Sequence, residues 1–218
     1  MAVDDANGHL YWGEGWTWDQ PVELHRSDLD GSNHVLLRDL TGTGINIVRR
    51  IELDAANDRL YFTDDNKVFR TALDGTDLTV LVDPAGNLGS TFDIDFENGQ
   101  IYYIDRNGNL YRSPLSDPSN ETPLPAFGPV RFLEVDGGNG HVYFGANSRS
   151  TITRADLDGS NQQRVGYLGD DTRDVVFDAA SNKLYYTSQT GYQEGKIRAI
   201  DLSGGLPVEY SDGHEVVV

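Results

Sequence analysis

The chain has 218 residues, 38% of them hydrophobic, a formal net charge of −18 and no cysteine. The missing cysteines exclude disulfides and zinc–thiolate sites, and the negative charge argues against nucleic acid and anionic membranes as partners, because both bind clustered Lys and Arg. No apolar run reaches the roughly 18 residues that a membrane span needs, and no signal peptide opens the chain.

A short aromatic strand recurs five times along the chain, with its tyrosines 50, 41, 41 and 42 residues apart. A period of about 40–50 residues in a strand-rich sequence is typical of a radially repeated sheet. The five copies are Leu10-Tyr11-Trp12, Leu60-Tyr61-Phe62, Ile101-Tyr102-Tyr103, Val142-Tyr143-Phe144 and Leu184-Tyr185-Tyr186.

Two further residue types recur at fixed places in each repeat. An aspartate stands six residues before each aromatic strand, where it is predicted to open a turn; these are Asp4, Asp54, Asp95, Asp136 and Asp178. An arginine stands on the strand that follows, and an Asp-Gly-type turn comes after most of them; the arginines are Arg26, Arg70, Arg112, Arg154 and Arg198.

The strand before each aromatic strand is apolar at alternate positions, as in Ile51 and Leu53, which indicates a half-buried strand. No segment has a helical period. Each repeat is therefore predicted to form four antiparallel strands, a to d, and the chain an all-β propeller in one domain. The predicted blades are roughly 1–43, 44–84, 85–126, 127–168 and 169–218.

Five blades are favoured over a fragment of a six-bladed propeller, which would need roughly 250 residues. The C-terminal run 214–218 is either strand d of the fifth repeat or a strand that completes the first blade.

The stretches that follow each tyrosine, such as Tyr11-Trp-Gly-Glu and Tyr61-Phe-Thr-Asp, look like degenerate YWTD motifs. Together with the arginines and the Leu-Asp-Gly-Ser turns, they resemble the YWTD β-propellers of the low-density-lipoprotein receptor family (class B repeats). The resemblance covers the whole chain and implies an extracellular recognition domain. The sequence departs from the family in its five repeats and in the loss of the final motif acid at Ala146 and Ser188.

Features present in every repeat are expected to serve the architecture. The arginine of strand c and the acid after the aromatic pair are predicted to form ion pairs between strands or blades. Function should therefore come from residues that differ between the repeats.

A first group of non-repeated residues stands five positions before the marker aspartates: Arg49, Arg131 and Arg173. They are predicted to surround the mouth of a central channel. Guanidinium groups there would bind carboxylate, sulfate or phosphate, unless nearby aspartates such as Asp93 and Asp174 pair with them.

A second group lies in the longest b–c loop, residues 13–22 of the first repeat, which contains Trp16 and Trp18. Tyr192 lies in the other long loop, 188–195. If the ring closes, these three side chains would form an aromatic patch beside the arginines, on the face that bears the d–a and b–c loops. The alternative is that the tryptophans pack under their own loop.

A third group stands two positions before the marker aspartates: Glu52, Asp93 and Glu134. Three carboxylates that converge on a channel axis would repel one another unless a cation separates them, and Ca²⁺ suits oxygen ligands. Ion pairs with the arginines are the alternative. No EF-hand loop is present, so the sequence predicts no cofactor, with calcium at these three residues as the other hypothesis.

Motifs for catalysis are missing: no Gly-x-Ser-x-Gly, His-Glu-x-x-His or P-loop occurs. The sequence favours a non-enzymatic, extracellular or cell-surface binding module for a protein or glycan. The alternative is a metal-dependent hydrolase or glycan-cleaving enzyme that uses the channel carboxylates, an analogy drawn from the fold alone.

Overall fold

The computed structural model describes residues 1–15, 21–64, 66–84, 88–126, 128–146, 151–167, 171–190, 194–202 and 214–215. Within these ranges it describes only the backbone of residues 90, 146, 166–167, 171–173, 188–190, 194–196 and 214–215. The chain divides into two compact units, Met1–Phe92 and Asp93–Val218.

The described residues form five four-stranded antiparallel sheets. The first sheet contains β1 (Ala2–Asp4), β2 (His9–Glu14), β3 (Glu23–Asp28) and β4 (Val35–Asp39). The second contains β5 (Ile51–Asp54), β6 (Arg59–Thr63), β7 (Val68–Ala72) and β8 (Thr79–Val82). The third contains β9 (Leu88–Asp95), β10 (Gln100–Asp105), β11 (Leu110–Pro114) and β12 (Thr122–Leu124).

The fourth sheet contains β13 (Val130–Asp136), β14 (His141–Ala146), β15 (Thr151–Asp156) and β16 (Gln163–Tyr167), and the fifth β17 (Asp171–Asp178), β18 (Lys183–Thr190), β19 (Glu194–Asp201) and β20 (His214–Glu215). Consecutive strands are neighbours in every sheet. This is the architecture of a five-bladed β-propeller, and the all-β prediction with five blades is confirmed.

The C-terminal strand settles one of the alternatives that the sequence leaves open. β20 pairs with β19, with His214 opposite Ala199 and Glu215 opposite Arg198. It is therefore strand d of the fifth blade. The first blade has its own strand a, since β1 pairs with β2 through Ala2 and Tyr11.

Apolar side chains on facing blades form the cores of each unit. In unit 1, Tyr11 and Leu24 of the first blade pack with Ile51, Leu60 and Phe62 of the second. In unit 2, one core joins the third and fourth blades and another the fourth and fifth. Each unit is thus held by the repeated aromatic strand, because large apolar side chains bury the most area per residue.

The marker aspartates make the predicted a–b turns. Asp136 accepts hydrogen bonds from the backbone nitrogen (3.1 Å) and the side-chain amide (2.8 Å) of Asn139. The same Asp-x-x-Asn pair occurs at Asp4, Asp54 and Asp95, and these aspartates are buried. In the fifth blade the Asn position is Ser181, whose hydroxyl donates to Asp178.

The final motif acids of the second and third blades do not form the ion pairs that the sequence predicts. Asp64 accepts from the backbone nitrogens of Asn66 and Lys67, and Asp105 from those of Asn107 and Asn109. These carboxylates cap the b–c loops instead. For these two acids the ion-pair prediction is wrong, because their carboxylates accept from backbone amides of the tight loop.

Among the described residues, the repeated arginine of the third blade also forms no ion pair with a motif acid but donates a hydrogen bond to the next blade. Arg112 Nη1 and Tyr102 Oη both donate to the backbone oxygen of Leu157, at 3.2 and 3.1 Å. Leu157 belongs to the Leu-Asp-Gly-Ser turn of the fourth blade, so the pair ties neighbouring blades together.

In the first four blades the repeated arginine stands opposite the first tyrosine of the motif, as Arg70 does opposite Tyr61. The fifth blade differs: Ala199 stands opposite Tyr185, and Arg198 stands opposite Tyr186.

Helical structure in the described residues is restricted to the short 3₁₀ turn Ala55–Asn57. None of their helices has the length and apolarity to cross a membrane.

Candidate functional site

The arginines predicted at the channel mouth fall in different units. Arg49 precedes β5 and is exposed, while its backbone nitrogen donates to the Thr63 oxygen at 2.8 Å. Arg131 is the second residue of β13 and is also exposed. Arg173 lies in β17, but its side chain is outside the described part of the chain. Their predicted role in binding stays a prediction.

The predicted aromatic patch lies outside the described residues. Trp16, Trp18 and Tyr192 all fall in ranges that the structure does not describe. The patch therefore remains a prediction from loop length and composition.

The three carboxylates predicted in the channel have identifiable partners. Asp93, 7% exposed, accepts from the backbone nitrogens of Ile94 (2.8 Å) and Val135 (2.7 Å). Glu134, 9% exposed, accepts from the backbone nitrogen of Phe177 at 3.1 Å.

Both contacts reach the first strand of the next blade, so the carboxylates of Asp93 and Glu134 connect neighbouring blades. Glu52 instead pairs with Arg50, whose Nε lies 2.6 Å from Glu52 Oε1. That contact is the kind of ion pair named as the alternative to a metal. Calcium at Glu52, Asp93 and Glu134 stays a prediction.

A different cluster appears on one face of the first blade. Trp12 of β2 stands directly opposite His25 of β3, and Glu14 stands opposite Glu23. Cross-strand partners point to the same face, and so do residues two apart on a strand. All four side chains therefore share one face, and His34, just before β4, reaches it as well.

The histidine rings are in direct contact. His34 Nε2 lies 2.9 Å from His25 Nδ1, and His25 Nε2 lies 3.2 Å from Glu23 Oε2 and 3.8 Å from Glu14 Oε2. One possible ligand atom each from Glu14, His25 and His34 lies within 4.8 Å of the others. His25 is buried at 5% exposure, whereas Glu14 and His34 are exposed.

Trp12 covers this group. Its indole stacks on the His25 ring with centroids 5.5 Å apart and lies 5.1 Å from the His34 ring. The indole Nε1 also donates to Glu14 Oε1 at 2.8 Å. This hydrogen bond, and to a smaller extent the charges of His25 and His34, lower the pKa of Glu14. The Glu14 carboxylate is therefore ionised and directed towards the imidazoles.

Sequence reasoning missed this cluster because the histidines are not close together in the chain. A signal was present nonetheless. Tyr11 and Arg26 are predicted on adjacent strands, and pairing them with each other, as the structure does, places Trp12 opposite His25. His34 could not be found in this way, since it lies outside the strand.

Comparison with known proteins adds similarity of sequence and of fold, although no protein-family model matches the chain. The chain is 25% identical over 246 residues to "Low-density lipoprotein receptor-related protein 1" of Pyricularia oryzae, covering 94% of this chain and 78% of that protein. It is 32% identical over 111 residues to Protein cueball of Drosophila yakuba, covering 49% of this chain but 16% of that protein.

Two solved structures have the same fold at low sequence identity. The chain matches a chain of a nidogen/laminin complex with a TM-score of 0.71 and 16% identity, over 88% of this chain and 73% of that one. It matches TolB from Acinetobacter baumannii with a TM-score of 0.71 and 13% identity, over 93% of this chain and 52% of that one.

The motif repeats, the four-stranded blades and these similarities agree with one another. The resemblance to YWTD β-propellers inferred from the motifs is confirmed, and the chain folds as a five-bladed β-propeller.

Proposed function

We propose that this chain is a non-enzymatic recognition domain that binds a protein partner outside the cell or at its surface. The observation that carries the proposal is the similarity to a receptor-related protein over 94% of the chain. The solved nidogen/laminin complex is a case in which a chain of similar fold belongs to a complex between proteins.

The contacts of the repeated residues support this proposal indirectly. The repeated side chains already make hydrogen bonds within the protein. The marker aspartates and the motif acids Asp64 and Asp105 accept from turn and loop residues, and the Tyr102–Arg112 pair donates to the next blade. A partner would therefore be recognised by residues that differ from blade to blade.

The binding face that we propose carries the d–a connections and the b–c loops. Its residues are Trp16, Trp18, Arg49, Arg131, Arg173 and Tyr192. Arg49 in the first unit and Arg131 in the second are both exposed. Binding residues need this exposure. Aromatic and arginine side chains are the residues most enriched at energetically important contacts, so an acidic protein surface is the partner that this composition suits.

The experiment is a binding screen of the purified chain against a panel of secreted and cell-surface proteins. Any protein bound is then titrated against the double variant Trp16→Ala/Trp18→Ala. We expect the affinity to fall by about tenfold or more while the melting temperature changes little, because hot-spot aromatics each contribute about 2 kcal/mol. The matched control is Leu29→Ala, which removes an exposed side chain (46% exposed) from the c–d turn of the same blade.

Two results would contradict the proposal. If no protein of the panel binds, a recognition function loses its basis. If a protein binds but the double variant binds it as tightly as Leu29→Ala does, the binding face is wrong. A loss of several kcal/mol of stability in the double variant would show instead that the tryptophans are core residues.

A further inference from the structure

The histidine cluster of the first blade has no counterpart in the second and third blades. The position opposite the second aromatic residue holds Phe69 in the second blade and Tyr111 in the third, and each stacks on its aromatic partner. The first blade places His25 there, at 5% exposure. A buried imidazole costs free energy unless its nitrogens have partners, and here His34 and Glu23 provide them. Like Phe69 and Tyr111, the His25 ring stacks on its aromatic partner, but it also brings two nitrogen atoms to this position.

Glu14 departs from the repeat in a second way. Asp64 and Asp105, at the same motif position, cap their b–c loops. Glu14 has one more methylene group, and its contacts are with Trp12 and His25 instead. The motif acid of this blade has therefore turned from the loop towards the imidazoles.

We propose that Glu14, His25 and His34 bind a divalent transition metal ion of the zinc class. Two imidazoles and one carboxylate are a known ligand set for Zn²⁺, which leaves a fourth position for water or an incoming ligand. The chain has no cysteine, so softer metals that need thiolates are not favoured.

The two nitrogens of His25 have separate roles in this site. Nδ1 faces His34 Nε2 at 2.9 Å and is the ligand atom that we assign. Nε2 faces Glu23 Oε2 at 3.2 Å, with Glu14 Oε2 further away at 3.8 Å. A metal-bound histidine commonly donates its other N–H to a carboxylate, which fixes the ring and raises its basicity. Glu23 is thus a positioning residue and not a ligand.

Two exposed side chains have to move to admit the metal. Nitrogen ligands at about 2.0–2.1 Å from a tetrahedral zinc lie about 3.3 Å apart, and the two imidazole nitrogens lie 2.9 Å apart. His34 is exposed and precedes its strand, so it can move outward while Trp12 and Glu23 hold His25. Glu14 Oε2 lies 3.8 Å from His25 Nε2, so the exposed Glu14 side chain has to swing towards Nδ1.

The test is a calorimetric titration of ZnCl₂ into the full chain, previously treated with chelator and dialysed. An excess of Mg²⁺ is kept present so that scattered surface carboxylates are occupied. We expect one equivalent of zinc to bind with a dissociation constant in the micromolar range or below. His34→Ala and Glu14→Gln should each weaken it about tenfold or more, and Glu23→Gln about tenfold.

The matched control is His9→Ala, which removes another histidine of β2 whose Nε2 lies 3.8 Å from Asp28 and which is not part of the cluster. It should bind zinc as the unchanged chain does. Saturable binding that His34→Ala and Glu14→Gln leave unchanged, or no saturable binding in Mg²⁺, overturns the proposal; the histidines are then only a hydrogen-bonded pair.

A second measurement uses the indole as a reporter. The chain has three tryptophans, so Trp16→Phe/Trp18→Phe leaves Trp12 as the single one. Cu²⁺, which prefers the same imidazole ligands, should quench its fluorescence at one equivalent, and His34→Ala should abolish that quenching. Fluorescence that Cu²⁺ quenches equally with and without His34 contradicts the site. This proposal does not depend on partner binding, and either can fail alone.

Discussion

Single residues at the same motif position have different contacts in different blades. Asp136 is buried and accepts two hydrogen bonds from the exposed Asn139, whereas Asp178 of the fifth blade is only half-buried and accepts from Ala180 and Ser181. The motif predicts that a turn occurs, but the burial of each carboxylate decides how much it contributes to the free energy of unfolding. A hydrogen bond is electrostatically stronger inside a protein than in water, so the buried carboxylate should contribute more to stability than the half-buried one.

We therefore expect Asp136→Ala to lower the free energy of unfolding by about 2–3 kcal/mol, because it removes a charged acceptor from two Asn139 donors. The measurement is urea unfolding followed by circular dichroism. Asp178→Ala is the matched control at the same repeat position, and its loss should be clearly smaller. Equal losses in both variants would mean that burial does not set the contribution.

At the scale of strands and blades, close contact between facing residues limits which side chains fit. Gly145 of β14 stands opposite Phe132 of β13. A methyl group added at Gly145 would collide with the Phe132 ring, which is 1% exposed and packed in the core of the fourth and fifth blades. The ring cannot move away without disturbing that core.

Gly145→Ala should accordingly destabilise the protein by about 1–3 kcal/mol through overpacking. The melting temperature reports the change. Gly138→Ala in the preceding turn is the control, since its added methyl group would meet only an Asp136 oxygen at 3.9 Å. If Gly145→Ala melts at the same temperature as Gly138→Ala, the strand pair is less tightly packed than the contacts indicate.

At the scale of the whole molecule, the repeated tyrosines give the protein a common response to alkali. Burial raises the pKa of Tyr11, Tyr61, Tyr102 and Tyr143, one in each of four blades. For Tyr143 the pKa rises from 10.0 to about 12. Because the folded-state pKa lies above the unfolded one, the neutral tyrosines stabilise the fold fully below pH 10, and this contribution is lost as the pH rises towards 12.

The melting temperature should thus fall steeply between about pH 10 and 12, since each pKa unit of difference corresponds to about 1.4 kcal/mol per tyrosine. Tyr143→Phe removes one titrating group and should make this fall shallower while the circular dichroism spectrum at neutral pH is unchanged. A slope identical to that of the unchanged chain would show that Tyr143 ionises as easily when folded as when unfolded.

The sequence by itself determined the four-stranded repeat, the aromatic cores and the a–b turns, and it favoured five blades. These features repeat, and a repeated pattern at the period of a four-stranded blade has few other solutions. It did not determine the contacts of charged side chains. Asp64 was expected to meet an arginine and caps a loop, while Asp93 and Glu134 bond to backbone nitrogens of the next blade.

Only the tertiary structure brought Glu14, His25 and His34 together, residues that are separated by up to 20 positions in the chain. Their proximity depends on strand register and on where a turn returns the chain to the same face. The periodic aromatic pattern predicts which apolar side chains are buried, because the hydrophobic effect has no directional requirement. Polar contacts, in contrast, need particular atoms at particular distances. Those distances exist only once the strands of the blade have paired.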